Sequence, residues 1–78
     1  MPDRVFDMRE VCALLNVEPH VLSYWETEFP LLASRRDEMG RRSYAKRDVA
    51  VIERIRELLY EERCAIAQTK ERLAREEF

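Results

Sequence analysis

The sequence predicts a mainly α-helical fold, with four helices and a short β-hairpin between the second and the third. The chain of 78 residues contains only one glycine, whereas all-β folds need glycine at many of their turns. Charged residues form 38% of the chain and hydrophobic residues 46%, a balance typical of helices with one solvated face. Apolar residues also recur at helical spacings in several separate segments.

A chain of this length holds one small core, so we expect residues 1–78 to form a single domain. The hydrophobic fraction and the formal net charge of -2 argue against an intrinsically disordered chain. No stretch free of charged side chains is longer than the seven residues from Val11 to Val17, far fewer than the roughly 20 that cross a bilayer. The N-terminus also lacks the apolar run of a secretory signal. These features predict a cytoplasmic protein without membrane association.

The first helix is expected to begin near Asp7, whose carboxylate can cap it while Glu10 reaches back in a capping box. It should run for about nine residues and end at Asn16. The apolar residues that recur along it at i, i+3 and i+4 are Val11, Leu14 and Leu15.

The second helix follows after a tight turn, so the two together form a helix-turn-helix at about residues 7–29. Pro19 is favoured at a first helical position, and Pro30 ends the helix because the residue before a proline is pushed out of the helical region. The residues spaced to face the core are Leu22, Trp25 and Phe29. The opposite face carries His20, Ser23, Tyr24 and Thr27.

Residues 31–45 have no helical period and are predicted to form a hairpin, or wing. Asp37 to Gly40 make a plausible turn, in which the glycine supplies a positive φ. Arginine pairs flank the turn on both sides, which places charge along the hairpin. The residues there that favour a strand are Leu31, Leu32 and Tyr44.

The helical period returns at about residues 47–62 and again at about 65–76. Asp48 lies in the first turn of the third helix, and the fourth helix should fray from Arg75 onward. The third helix has an apolar stripe of Val51, Ile52, Ile55, Leu58 and Leu59, and the fourth has Ile66, the stem of Lys70, and Leu73.

The chain offers little for catalysis or metal binding. It has one histidine, and its two cysteines, Cys12 and Cys64, are too far apart in sequence for a metal-binding pair, so we interpret both as buried thiols. No glycine-rich loop is present to cradle a phosphate. We therefore predict that the protein is not an enzyme and has no catalytic residue, no cofactor and no metal site.

Charge is distributed unevenly along the chain. Residues 1–34 have a net charge of -4, residues 35–56 of +4 and residues 57–78 of -2. Six of the central cations lie within residues 35–47, the predicted wing and the start of the third helix. Such a concentrated basic loop in an acidic frame indicates a local anionic partner.

Two short helices with a tight turn, a basic hairpin and a longer helix describe a winged helix-turn-helix. Four stretches of the sequence are more specific than this outline, namely V-C-A-L-L-N-V-E-P-H-V-L-S-Y-W-E-T-E-F-P, G-R-R-S-Y-A-K-R-D-V, I-R-E-L-L-Y-E-E and A-I-A-Q-T-K-E-R-L. These stretches, within about residues 6–73, resemble the DNA-binding domain of the MerR-type (mercury-resistance regulator) transcription factors.

The resemblance implies that the second helix enters the major groove, with His20, Ser23 and Tyr24 at contact positions. Tyr24 matches a tyrosine that usually reaches a phosphate; otherwise it is a plain surface tyrosine. Ser23 stands where an arginine is common, which removes a long reader of guanine. In the wing, Arg42 and Tyr44 match positions that lie against the backbone or the minor groove. The other cations predicted to bind DNA are Arg35, Arg36, Arg41, Lys46 and Arg47.

The resemblance also bears on two acidic residues of the second helix and on the starts of the third and fourth helices. Glu26 and Glu28 are expected to pair with nearby arginines, because either would repel phosphate if it faced DNA. Ala45 stands where a serine-like cap commonly precedes the third helix. Arg63-Cys64-Ala65 replaces a Gly-aromatic-Thr linkage before the fourth helix. Each missing cap typically costs about 1 kcal/mol of stability.

The leading prediction is sequence-specific binding of double-stranded DNA by a bacterial MerR-like transcription regulator, in the cytoplasm at the nucleoid. Family members carry a long dimerisation helix after this domain, so we expect a homodimer through a helix beyond Phe78. An excisionase-like architectural factor that bends DNA shares this small fold and is the nearest alternative. A helical protein-interaction module without DNA binding is another, motivated by Ser23 and by an acidic pI of about 5.5.

Overall fold

A computed structural model describes residues 4–32 and 35–76 of the chain. Within these ranges the chain forms short strands, which make a small sheet, and helices that pack on it. In chain order they are β1 (Val5–Asp7), α1 (Met8–Leu15), α2 (Pro19–Glu28), β2 (Arg35–Arg36), β3 (Arg42–Ala45), α3 (Lys46–Arg56), a π-helical segment (Glu57–Glu61) and α4 (Ile66–Arg75).

The predicted caps of α1 are confirmed. The Glu10 amide donates to Asp7 Oδ1 at 2.8 Å, and the Asp7 amide donates to Glu10 Oε1 at 3.1 Å. Asn16 ends the helix with a left-handed φ of 54°, which asparagine adopts more readily than most residues. The predicted apolar stripe is only partly right, because Leu14 is 61% exposed while Val11 is fully buried.

α2 begins at Pro19 as predicted and buries the expected side chains. Leu22, Trp25 and Phe29 are 0%, 2% and 2% exposed. Phe29 follows the helix as its C-cap, and its amide donates to the Trp25 carbonyl at 2.7 Å. The turn between α1 and α2 is short, so the two helices form the expected helix-turn-helix.

The predicted hairpin supplies two strands of a three-stranded antiparallel sheet with the order β1-β3-β2. β2 and β3 form the wing, with Arg36 paired to Arg42. β1, which the sequence analysis did not predict, pairs Phe6 with Tyr44. Leu31 and Leu32 lie before the strands instead of within them.

α3 is one residue earlier at its start than predicted and passes into the π-helical segment near its end. Ala45 provides no side-chain cap, but its amide donates to Asp48 Oδ2 at 2.9 Å, so half of a capping box remains. The expected stripe is confirmed: Val51, Ile52, Ile55 and Leu58 are buried, and Leu59 is half-buried.

The start of α4 differs from the predicted pattern in its buried residue and in its cap. Thr69 is fully buried, and its hydroxyl donates to the Ala65 carbonyl at 3.0 Å, whereas Lys70 is exposed. The Gln68 side chain accepts from the Ala65 amide at 2.9 Å, which again replaces a missing cap. Arg63, before the helix, has a φ of 55°, in the region that favours glycine.

The core lies between the sheet and the helices. Tyr44 and Ile52 are fully buried in it, and Leu73 of α4 closes one side. Cys12 and Cys64 are half-buried, not buried as predicted, and burial raises the pKa of the Cys12 thiol. Among the described residues, no helix combines the length and hydropathy needed to span a membrane.

Candidate nucleic-acid interface

The outward face of α2 carries the side chains that the sequence places there. His20 is exposed, and Tyr24 is 51% exposed. Thr27 is also exposed, and its hydroxyl donates to the Ser23 carbonyl at 3.3 Å. Ser23 itself is half-buried on the side of the helix that faces the wing. α2 therefore presents polar groups that can hydrogen-bond to bases and phosphates.

Arg42 on β3 fastens the wing to α2. Its Nη1 donates to Glu26 Oε2 at 2.8 Å and to Ser23 Oγ at 2.9 Å. The Glu26 side chain is only 12% exposed, so solvent ions screen this pair less than a surface pair. Glu26 thus pairs with an arginine as predicted, whereas Glu28 pairs with Lys70 at 3.3 Å.

Tyr44 lies beneath this pair and is fully buried. Its hydroxyl donates to Glu26 Oε2 at 3.2 Å. Burial, together with the Glu26 carboxylate, raises the pKa of Tyr44 above its ordinary value, so the hydroxyl stays protonated at neutral pH. This position does not agree with the predicted DNA contact, because a buried ring has no surface to offer. We correct the role of Tyr44 to positioning Glu26 from below.

The tip of the wing is ordered by Asp37. Its Oδ1 accepts from the amides of Arg41 and Met39, each at 2.9 Å, and its Oδ2 accepts from Arg41 Nε at 3.3 Å. These hydrogen bonds, led by the one from the Arg41 amide, lower the pKa of the Asp37 carboxyl below its ordinary value. Gly40 completes the turn at φ +78°. The carboxylate is therefore directed at the backbone of its own turn.

A polar groove of about 590 Å³, here called the wing groove, lies between the first turn of α1, α2 and the wing. Three elements thus contribute to one concave surface on the side of α2 that carries Ser23. The groove is lined by Asp7, Met8, Arg9, Ser23, Arg36, Arg41 and Arg42.

The wing groove brings together three of the cations predicted from sequence, Arg36, Arg41 and Arg42, and adds Arg9. Sequence reasoning missed Arg9 because a single arginine at the start of a helix carries no signal of its own. Only the pairing of β1 with β3, which sets α1 beside the wing, gives that arginine its neighbours.

The remaining predicted cations lie outside the wing groove. Arg35 on β2 and Lys46 at the start of α3 are exposed. Arg47 is also exposed and lines a second, mostly apolar groove of about 510 Å³, which it shares with Phe29 and Lys70. Arg47 therefore lines a different groove from Arg36, Arg41 and Arg42.

A helix-turn-helix followed by a wing, with a polar helix face beside clustered arginines, defines a winged helix-turn-helix protein, a class that binds DNA. A comparison with protein families matches residues 6–76 to the MerR HTH family regulatory proteins, so the chain belongs to this family of DNA-binding transcription regulators. A comparison with curated proteins finds no match.

Proposed function

We propose that the chain is the sequence-reading domain of a bacterial transcription regulator and that it binds double-stranded DNA with α2 in the major groove. The wing then lies on the adjacent backbone or minor groove. The observation that supports this most directly is the contact of Arg42 with Ser23 and Glu26, because it holds the wing and the outward face of α2 on one surface. A surface of this kind can meet both grooves of a duplex at once.

Within α2, His20, Ser23 and Tyr24 are the proposed contact residues. The Ser23 oxygen accepts from Arg42, which leaves its O–H free to donate to a base acceptor. The Tyr24 hydroxyl suits a phosphate oxygen, since it donates without bringing a charge. Because Ser23 carries a short hydroxyl instead of a guanidinium, it should select guanine less strongly than an arginine at this position would.

Within the wing, the proposed contacts are made by cations on β2, in the turn and at the start of α3. Arginine suits this role because its planar fork matches phosphate oxygens and also fits a narrow groove. Tyr44 is left out of the contact set because it is buried. The proposed cations are Arg35, Arg36, Arg41, Lys46 and Arg47, whereas Arg42 holds the wing against α2 through Ser23 and Glu26.

The proposal extends to assembly and location. The full-length protein acts as a homodimer through a helix beyond Phe78, so that two copies of α2 reach two half-sites of an operator. It works in the bacterial cytoplasm, at the nucleoid, and has no membrane partner. This mode of DNA binding needs no catalytic residue, cofactor or metal.

The test begins with selection of bound duplexes from a random library, followed by fluorescence anisotropy on the selected sequence. Tyr24→Phe should weaken binding by roughly two- to tenfold, the loss of one hydrogen bond. Tyr60→Phe is the matched control, since Tyr60 is 50% exposed but lies on the π-helical segment. The affinity of the Tyr60→Phe variant for the selected duplex should match that of the wild type.

Each outcome of the selection has a separate meaning. An enriched motif with loss of affinity only in Tyr24→Phe supports the proposal. Binding without any enriched motif, accompanied by strong bending of the duplex, would indicate the architectural alternative. A well-folded chain with no affinity for duplex DNA at low salt would indicate a protein-interaction module and overturn the proposed function.

A further inference from the structure

The wing groove contains more positive charge than its contacts within the chain neutralise. Four arginines line it, from α1, β2, the turn and β3, and the carboxylate that lines it belongs to Asp7. That carboxylate is directed at α1, where its Oδ1 accepts from the Glu10 amide at 2.8 Å. A concave surface with several cations favours a compact anion.

The arginine that the resemblance favours is the least available of the four. Arg42 is joined to Glu26 at 2.8 Å, and the Glu26 side chain is 12% exposed. Because this carboxylate is already desolvated and also accepts from Tyr44, breaking the pair to reach a ligand would leave it uncompensated. Arg42 is therefore a wall of the wing groove and not a ligand in it.

The other three arginines keep their charge available. No hydrogen bond or ion pair joins the Arg9 guanidinium to another described residue. Arg36 Nη1 donates to the carbonyl of Gly40 at 2.8 Å, which leaves its charge uncompensated. Arg41 pairs with Asp37 at 3.3 Å, but its side chain is 67% exposed, and such surface pairs contribute little.

We propose that the wing groove binds one phosphodiester of the DNA backbone through Arg9, Arg36 and Arg41. This inference rests on the proposed function, and it assigns to α1 a DNA contact that sequence reasoning did not give it. A phosphodiester fits because its two free oxygens accept from guanidinium forks on different sides. Ser23 lines the wing groove and lies on α2, so this phosphate adjoins the bases that α2 reads.

The test replaces single phosphates of the selected duplex, one at a time, by uncharged methylphosphonate. At one position the wild type should lose about eightfold in affinity near 0.1 M salt, the effect of one phosphate contact. Arg9→Ala, Arg36→Ala and Arg41→Ala should each show less than a twofold loss at that same position, because the contact is already gone. Arg9 is exposed in the first turn of α1, where alanine preserves the helix.

Two control variants sharpen the result. Arg75→Ala, at the exposed end of α4, and Arg42→Lys, which keeps a cation beside Glu26, should both keep the full eightfold loss at that position. Coupling of the position to Arg42 instead of Arg9 would overturn the inference while leaving the proposed function intact. So would sequence-specific binding in which no phosphate is coupled to Arg9.

A free anion would use the same guanidinium donors as a phosphodiester, so a separate measurement distinguishes the two ligands. Inorganic phosphate titrated alone, followed by the NMR signal of the Arg9 Nε–H, should cause only small shifts in the millimolar range. Saturation by inorganic phosphate without any coupled phosphate in the duplex would show a free-anion site and overturn the assignment to the DNA backbone.

Discussion

Arg54 on α3 holds Glu76, the residue that follows α4, through a two-pronged ion pair. Its Nε lies 2.9 Å from Oε1, and its Nη2 lies 3.0 Å from Oε2 of the same carboxylate. The same guanidinium also approaches Glu57 and Glu62 at 3.4 and 3.3 Å. The end of α4, which the sequence predicts to fray, is therefore fastened to α3 by charge.

Glu76→Gln should destabilise the domain in a pH-dependent manner. The hydrogen bond from Arg54 lowers the pKa of the Glu76 carboxyl below its ordinary value of 4.5. A carboxyl whose pKa is lower in the folded state stabilises fully above its unfolded value and loses that effect as the pH falls through the folded value. Urea unfolding should therefore separate variant from wild type at neutral pH and bring them together once the pH has fallen below the folded value.

Glu71→Gln, on the exposed side of α4, is the control for that measurement and should match wild type across the same pH range. A difference between Glu76→Gln and wild type that does not shrink as the pH falls from neutral into the acidic range would contradict the role of the Glu76 charge.

Glu26→Ala should lower the free energy of unfolding by about 2–3 kcal/mol, because it leaves Arg42 and the buried Tyr44 hydroxyl without their acceptor. Glu28→Ala removes an acid from the same helix but from a more exposed pair with Lys70, so it should cost less than about 1 kcal/mol. Chemical denaturation measures both. Equal losses in the two variants would show that the wing is held by its backbone alone.

Trp25→Ala should unfold the domain or nearly so. Trp25 is 2% exposed, and truncation of a buried tryptophan costs about 3–5 kcal/mol, comparable with the whole stability of a small domain. Leu14→Ala is the contrast, since Leu14 fits a helical period yet is 61% exposed and should melt within a few degrees of wild type. Thermal unfolding by circular dichroism checks both. A cooperative melt of Trp25→Ala near the wild-type midpoint would contradict the core assignment.

Arg63→Gly should stabilise the domain. At a φ of 55°, a residue with a Cβ is strained by about 1–2 kcal/mol, whereas glycine is not strained. The greater conformational freedom of glycine in the unfolded state offsets part of this stabilisation. We expect a net increase of up to about 1 kcal/mol in the free energy of unfolding. Arg63→Ala keeps the strain and should resemble wild type. An equal effect of alanine and glycine would assign the change to the lost arginine side chain.

Dimerisation should convert weak binding into tight binding. A single α2 with one wing buries little surface, so the isolated chain should bind near the roughly 10⁻⁴–10⁻⁶ M of non-specific association. Fusion of a leucine zipper after Phe78 should raise the avidity for a palindromic fragment by about 10²–10⁴ when the linker spans the half-sites. Tight binding by the monomer, or no gain in avidity across several linker lengths, would contradict the proposal that two copies of the domain bind two half-sites.

The helix ends could be predicted from sequence because their signals are local. Asp7 and Glu10 sit three residues apart and complete their hydrogen bonds within one turn. Leu14 shows the limit of a local pattern. The buried row of α1 runs through Val11 and half-buried Cys12 and Leu15, because the helix packs against α2 and the sheet on one side only. Leu14 therefore lies just outside that row.

The parts that sequence reasoning missed depend on residues far apart in the chain. β1 is three residues long, too short for an alternating pattern, and exists because Phe6 pairs with Tyr44. Tyr44 on the partner strand is fully buried in the core, whereas the family resemblance had placed it at the DNA surface. Arg9 and Glu26 likewise gain their roles only when α1, α2 and the wing meet.

The Asp37 turn bears on how fast the protein can find DNA. Its carboxylate binds two amides of the tip, so the hairpin is already closed before any duplex arrives. A wing in this state has little conformational freedom left to lose, and association needs no slow ordering step. Encounter should then be limited by diffusion and orientation and accelerated by the charge around residues 35–47. Stopped-flow association rates should therefore fall steeply with added salt, while dissociation sets the lifetime of each complex.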